Sequence, residues 1–149
     1  MFITQISVYL ENNKGTLRNL TKTLGKNNID ILALSIADTT NFGIVRIVTR
    51  EADTDKATNV LRENGFIAKT NNVICVAVPN QPAGLDSVLE IIEENSISIE
   101  YMYSLNYIIG NKALIVLRLS AENMEKEQIA KVLLSKNVMM VNQDEINRL

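Results

Sequence analysis

The side chains that could do chemistry in this sequence are few, and their types exclude more than they permit. Histidine is absent, which removes Ser-His-Asp triads, histidine-activated thiols and imidazole zinc sites. Cys75 is the single thiol and stands inside the apolar run "VICVAV", where a cysteine without a neighbouring base behaves as a small hydrophobe. Fifteen basic and seventeen acidic residues leave a net charge of −2, a poor footprint for neutralising phosphates, so nucleic acid is not an expected partner. Arg46 and Arg118 could fork onto a carboxylate. Each also has an acid, Asp30 or Glu100, within reach across neighbouring strands, and that structural pairing is the expected one.

What remains is backbone chemistry at a corner. In "LENNKGTLRNL", residues 10–20, an apolar strand runs into a polar turn with one glycine, and a helical pattern starts at once. A helix that begins there presents unpaired N–H groups and the positive end of its dipole, which together favour an anion such as a carboxylate. Gly15 permits a tight turn and a close approach. Asn12 adds a donor and an acceptor just upstream.

The same corner occurs twice. Shifting the sequence against itself by 68 positions aligns "LENNKGTL" with "VPNQPAGL", placing Asn80 on Asn12 and Leu85 on Leu17; past residue 42 the best shift becomes 72, pairing Arg118 with Arg46. The difference is read as a longer loop in the second copy, around "NYIIGNK".

The elements that position these corners follow from periodicity. Residues 3–10 alternate as a strand, and Leu17, Leu20 and Leu24 recur at helical spacing. Strands are expected at "IDILALSIA" and "FGIVRIVT", a helix at "DTDKATNVLREN" with Asp53 or Thr54 as N-cap and Gly65 past its end, and a closing strand at "FIAK". The second copy reads "VICVAV", "AGLDSVLEIIEEN", "ISIEYMYSL", "ALIVLRLS", "NMEKEQIAKVLLSK" and "VMMV".

The order is βαββαβ, twice. The expected fold class is therefore α+β: two ferredoxin-like units, residues 1–70 and 71–149, each a four-stranded antiparallel sheet with two helices on one face. The helix-free face is expected to hold Leu32, Leu34, Ile36, Tyr9 and Arg46 in the first unit, and Glu100, Met102, Cys75, Ala77 and Arg118 in the second. Such apolar faces call for cover by the twin unit or another subunit, so a homodimer is expected.

With N-x-[KP]-[GA]-x-L at each first corner, followed by "IDI" or "ISI", the chain resembles the ACT domain, a small regulatory module that binds free amino acids. Both halves match, and the closest likeness is to free-standing tandem ACT proteins, which carry no catalytic domain. The resemblance implies a ligand at an interface between ACT domains, held by the corner of one and the start of strand two of its neighbour. By position the implied residues are Asn12, Asn13, Gly15, Thr16 and Leu17, with Asn80, Gln81, Ala83, Gly84 and Leu85 in the second copy. Asp30 and Ser98 take the polar position between the two isoleucines of "IDI" and "ISI". The family's P-G-x-L appears here as "KGTL" and "PAGL"; alanine at the expected glycine weakens the second corner unless its φ is negative.

Three other classes share this topology and fit less well. An RNA-recognition module needs aromatic residues and a basic face on its central strands, whereas "ISVYL" and "GIVRIV" offer one tyrosine and one arginine. An acylphosphatase-like enzyme needs an arginine in a phosphate-cradling loop, and Arg18 falls inside the helix. A metal carrier needs paired cysteines. The reading is a non-catalytic regulatory protein that binds a free amino acid, without cofactor or metal, with a structural dimerisation module as the alternative. With no signal-like segment and no apolar run near 18 residues, a soluble cytoplasmic protein with no membrane partner is expected; an enzyme or regulator partner is left open.

Overall fold

The computed structural model describes residues 1–11, 13–38 and 42–149. The elements run β1 (Ile3–Glu11), α1 (Thr16–Lys26), β2 (Ala33–Asp38), β3 (Phe42–Val48), α2 (Glu51–Glu63), β4 (Ile67–Pro79), α3 (Gly84–Glu94), β5 (Ser98–Ile109), β6 (Lys112–Ser120), α4 (Lys126–Ser135), β7 (Met140–Val141) and α5 (Gln143–Asn147). The chain divides into two compact units: Thr4–Asn72 with Leu149, and Val73–Arg148 with Met1–Ile3. In the first, the strand order is β2-β3-β1-β4; in the second it is β5-β6-β4-β7. Both are ferredoxin-like antiparallel sheets with two helices on one face.

Amphipathic helices close each core. Leu20 and Leu24 of α1 and Ala57 and Leu61 of α2 are fully buried against Ile6, Val8, Val45 and Ile47. In the second unit Val88, Ile92, Ile129 and Leu133 meet Ile74, Val76, Ile115 and Leu117. A buried leucine or isoleucine of this kind contributes roughly 1.5–3 kcal/mol, so each half carries a core of its own.

The duplication extends to backbone conformation. Left-handed residues occur at Gly15, Asn28 and Gly65 in the first unit, and at Ala83, Ser96 and Asn137 in the second. These are the same positions under shifts of 68, 68 and 72. The helix ends match as well: Ile29 N–H donates to Leu24 C=O at 3.0 Å, and Ile97 N–H to Ile92 C=O at 3.0 Å.

Several elements depart from their expected bounds. "FIAK" and "VICVAV" are one strand, β4, because the polar Thr70–Asn72 link stays extended. Helix α2 starts at Glu51 with Arg50 as its cap, two residues before Asp53. The extra residues around "NYIIGNK" lengthen a hairpin rather than a loop, since Ile108 and Ile109 pair with Ala113 and Lys112 and the turn falls at Gly110, φ +61°. The C-terminal α5, with an Asn142 cap, has no counterpart in the first copy.

Three of the ten residues expected on the helix-free faces lie on the other side. Leu34 and Ile36 pair with Ile47 and Val45, so both point to the helix side, and Met102 does so opposite Leu117. The cause is the same in both copies, a slip of parity after the second isoleucine. In the first it is absorbed by irregular backbone before Ala33, and in the second by a bulge between Ile99 and Tyr101. One extra residue moves every later side chain to the other face. Tyr9, Arg46, Cys75, Ala77 and Arg118 keep the helix-free side, opposite Ile44, Ser7, Val116, Leu114 and Tyr101.

Candidate functional site

The first corner is built by a strand that ends and a helix that begins without a side-chain cap. Asn13 N–H donates to Glu11 C=O at 2.8 Å, and Asn13 Nδ2 to Glu11 Oε2 at 3.0 Å. Thr16 closes the turn through N–H (3.3 Å) and Oγ1 (2.9 Å), both onto Asn13 C=O. Gly15 has φ +87°, and its carbonyl accepts the first helical bond, from Asn19 N–H at 3.0 Å. No acidic residue occupies the first turn of α1. Among the described residues, the N–H groups of Leu17 and Arg18 meet no acceptor. Asn12, the other residue singled out here, lies outside the described residues.

A cavity of about 190 Å³ opens against this corner, lined by Leu10, Glu11, Asn13, Thr16, Leu17, Ile36 and Gly43. It joins donors at the helix start, a carboxylate at Glu11 and an apolar wall of Leu10, Leu17 and Ile36. A second cavity, about 290 Å³, shares Leu10, Glu11 and Thr16 with it and adds Tyr9, Asn19 and the Asn64–Ile67 segment. Sequence reasoning placed Asn13, Thr16 and Leu17 here. It missed Glu11, although that residue is part of the quoted motif, and it missed Ile36 and Gly43, which only the β2–β3 pairing brings across.

The second corner repeats three backbone bonds of the first. Gln81 N–H donates to Pro79 C=O (2.9 Å), Gly84 N–H to Gln81 C=O (3.1 Å), and Ser87 N–H to Ala83 C=O (3.4 Å). Ala83 holds φ +64°, the same left-handed conformation as Gly15, not the negative value that would let alanine sit without strain. The glycine has moved one place on: a Cβ on Gly84 would lie 2.0 Å from Pro79 O. Asn80 N–H is committed to Asn111 C=O at 2.8 Å, tying this corner to the long hairpin. Leu85 follows half-buried.

Asp30 and Ser98 stand apart from the corners of their own units. The 11 residues of α1 separate Asp30 from Gly15, about 16 Å of helix. Asp30 Oδ2 accepts from Arg50 Nη1 at 3.1 Å, in a groove shared with Gly25, Asn28, Ile29 and Asp53. Its partner is thus Arg50, not Arg46. Ser98, exposed, opens β5 opposite Ser120. Glu100 does pair with Arg118, Oε2 to Nε at 3.3 Å.

Cys75 is fully buried, and burial first, then the Glu145 carboxylate, push its thiol up to about 12. A thiol so placed stays protonated and is a poor nucleophile. Among the described residues no cluster of three or more His, Cys, Asp or Glu groups could hold a metal ion, and no helix is long and apolar enough to cross a membrane.

A family model described as an ACT domain pair matches residues 1–149. Among solved structures, a protein from Bacteroides thetaiotaomicron is 34% identical with a TM-score of 0.85, the match covering 100% of this chain and 98% of that one. The regulatory subunit of aspartate kinase from Thermus thermophilus, in ligand-free form, is 13% identical with a TM-score of 0.59, covering 89% and 91%. Its counterpart from Thermus flavus is 12% identical, also at 0.59, covering 89% and 88%. At such identity these two share the fold. No curated protein matches.

Proposed function

The chain belongs to the family of paired ACT domains, and on that premise we propose that it is a non-catalytic regulatory protein that binds a free amino acid at its first corner. The observation that carries this reading is the cavity beside Thr16 and Leu17, where open helix N–H groups, one carboxylate and an apolar wall converge. The ligand carboxylate meets the N–H groups of Leu17 and Arg18, where the helix dipole favours it. Its ammonium meets Glu11, with Asn13 holding that carboxylate in place. Its side chain lies against Leu10, Leu17 and Ile36. The solved relatives named as regulatory subunits support a regulatory role.

The second corner is the weaker site, because its turn is held against Pro79 and Asn80 is already engaged. Asp30 does not reach a ligand at the first corner of its own unit, since the length of α1 separates the two.

The test is a thermal-shift screen of the twenty amino acids, on protein whose denatured supernatant carries no small molecule by mass spectrometry. A chemically related few should raise Tm. At 100 times Kd the gain is about 2.7 kcal/mol, several degrees for a chain of this size. Gly15→Val should erase the response, and Asn12→Ala weaken it by about 1–3 kcal/mol. A flat screen refutes the amino-acid reading, and turnover of a hit by pure protein refutes the non-catalytic one.

A further inference from the structure

The wall of the first-corner cavity bears on which amino acid fits there. Leu10, Leu17 and Ile36 form its apolar side, and Glu11 is the one charged residue that lines it. Of the polar side chains, Asn13 Nδ2 is committed to Glu11 Oε2 and Thr16 Oγ1 to the Asn13 carbonyl. A ligand side chain with a polar or charged end would lie against the three aliphatic residues without a partner, which disfavours it. Ile36 faces the helix side opposite Val45 yet stays 51% exposed, and an apolar ligand side chain laid over it would take that surface out of water.

Gly43 sets the size. It stands directly across from Leu10 on the same side of the sheet, and a Cβ built on it would meet only Ala37 O, at 4.0 Å. The strand has no steric need for glycine at this place, and the missing side chain leaves the cavity open beside Leu10. A cavity of about 150 Å³ admits one benzene ring. This one, at about 190 Å³, has room for an amino acid with a short branched side chain and not for one that carries a large ring.

The second unit lacks both features. Strand pairing puts Ala113 opposite Val78, as Gly43 is opposite Leu10, and Ser104 opposite Ile115, as Ile36 is opposite Val45. A methyl group takes the place of the gap, and a hydroxyl that of the apolar wall.

We infer that, granted the amino-acid reading of this corner, its ligand is an aliphatic amino acid of valine to leucine size, selected by Ile36 and Gly43. The ligand's carboxylate and ammonium are held as before, so these two residues decide which side chain fits and not whether an amino acid is held.

The test is isothermal titration calorimetry on the full chain with leucine, isoleucine, valine, alanine, phenylalanine, aspartate and lysine, folding being checked by circular dichroism. In wild type one of the first three should bind tightest, by about 10-fold or more over the other four. Gly43→Ala and Ile36→Ser each install the residue of the second unit. Gly43→Ala should weaken leucine and isoleucine by about 10-fold and move the preference toward valine or alanine. Ile36→Ser should weaken every aliphatic ligand by about 10-fold, whereas Ile36→Val should keep the wild-type order. Tightest binding by phenylalanine, aspartate or lysine would overturn the inference and leave amino-acid binding standing. So would a folded Gly43→Ala that keeps the wild-type order, or a folded Ile36→Ser that keeps wild-type affinities. Binding of none of the seven would also overturn it, and the screen of all twenty amino acids then decides whether the amino-acid reading falls as well.

Discussion

The corners at residues 11–16 and 79–84 share three backbone hydrogen bonds in register, yet they place their glycine differently. In the first, glycine takes the left-handed position, and the next residue, Thr16, carries a full side chain that closes the turn through Oγ1. In the second, alanine takes the left-handed position and glycine the place of Thr16, where the Pro79 carbonyl leaves no room for a Cβ. The same backbone turn can thus recur while its glycine moves by one residue, and only the second glycine is fixed by a tight contact. Among the described residues both helix starts leave the same two N–H groups without an acceptor; a cavity lies beside the first, and in the second the Pro79 carbonyl closes on Gly84.

The largest test of this contrast is Gly84→Ala. A methyl 2.0 Å from Pro79 O forces the strand end and helix start apart, at a cost of about 3 kcal/mol or more by denaturant unfolding. Thr16→Ala, at the equivalent place, should cost no more than about 1 kcal/mol, the worth of one exposed hydrogen bond. Equal losses would mean that the corners are equally tight.

The next test concerns the strands that lead into the corners. Under the shift of 68, Ser7 on β1 corresponds to Cys75 on β4. Ser7 Oγ bonds to Asn71 Oδ1 at 3.1 Å, whereas Cys75 is buried, with its thiol raised from 9.0 to about 12. Below pH 9 the thiol is protonated in both folded and unfolded chains and contributes no pH dependence. Between pH 9 and 12 only the unfolded chain ionises, so stability falls as pH rises, by about 2 kcal/mol at pH 10.5. Comparing unfolding of wild type and Cys75→Ala from pH 8 to 10.5 checks it: the variant should lack this part of the alkaline loss.

The smallest effects lie at the left-handed residues themselves. Gly15→Ala meets no atom within 4 Å but must hold φ +87°; it should cost about 1 kcal/mol. Ala83→Gly should gain about 0.5 kcal/mol, since relief of the left-handed strain slightly exceeds the added chain entropy. Opposite signs, read from chemical denaturation midpoints, would sharpen the comparison. Like signs would break it.

The two βαββαβ units were legible in the sequence because the apolar periodicity and turn residues recur in register. Both corners were legible because glycine, asparagine and proline cluster there. The faces of β2 and β5 were not, since a parity slip after Ile31 and Ile99 looks the same as regular alternation until the partner strand sets the register. The unity of β4 was hidden by the polar Thr70–Asn72, which reads as a loop. At the site, Asn13, Thr16 and Leu17 could be named because they are local, whereas Ile36 and Gly43 arrive by strand pairing. Asp30 was read from a motif that says nothing about which end of the unit it occupies.

The most direct test of the central claim is a ¹H–¹⁵N amide spectrum of ligand-free protein titrated with the amino acid that gives the largest thermal shift. The account predicts saturable shifts concentrated at Gly15, Thr16, Leu17 and Arg18, with smaller or no shifts at Ala83, Gly84, Leu85 and Asp86. Shifts confined to the second corner, or none at the first under saturating ligand, would contradict it.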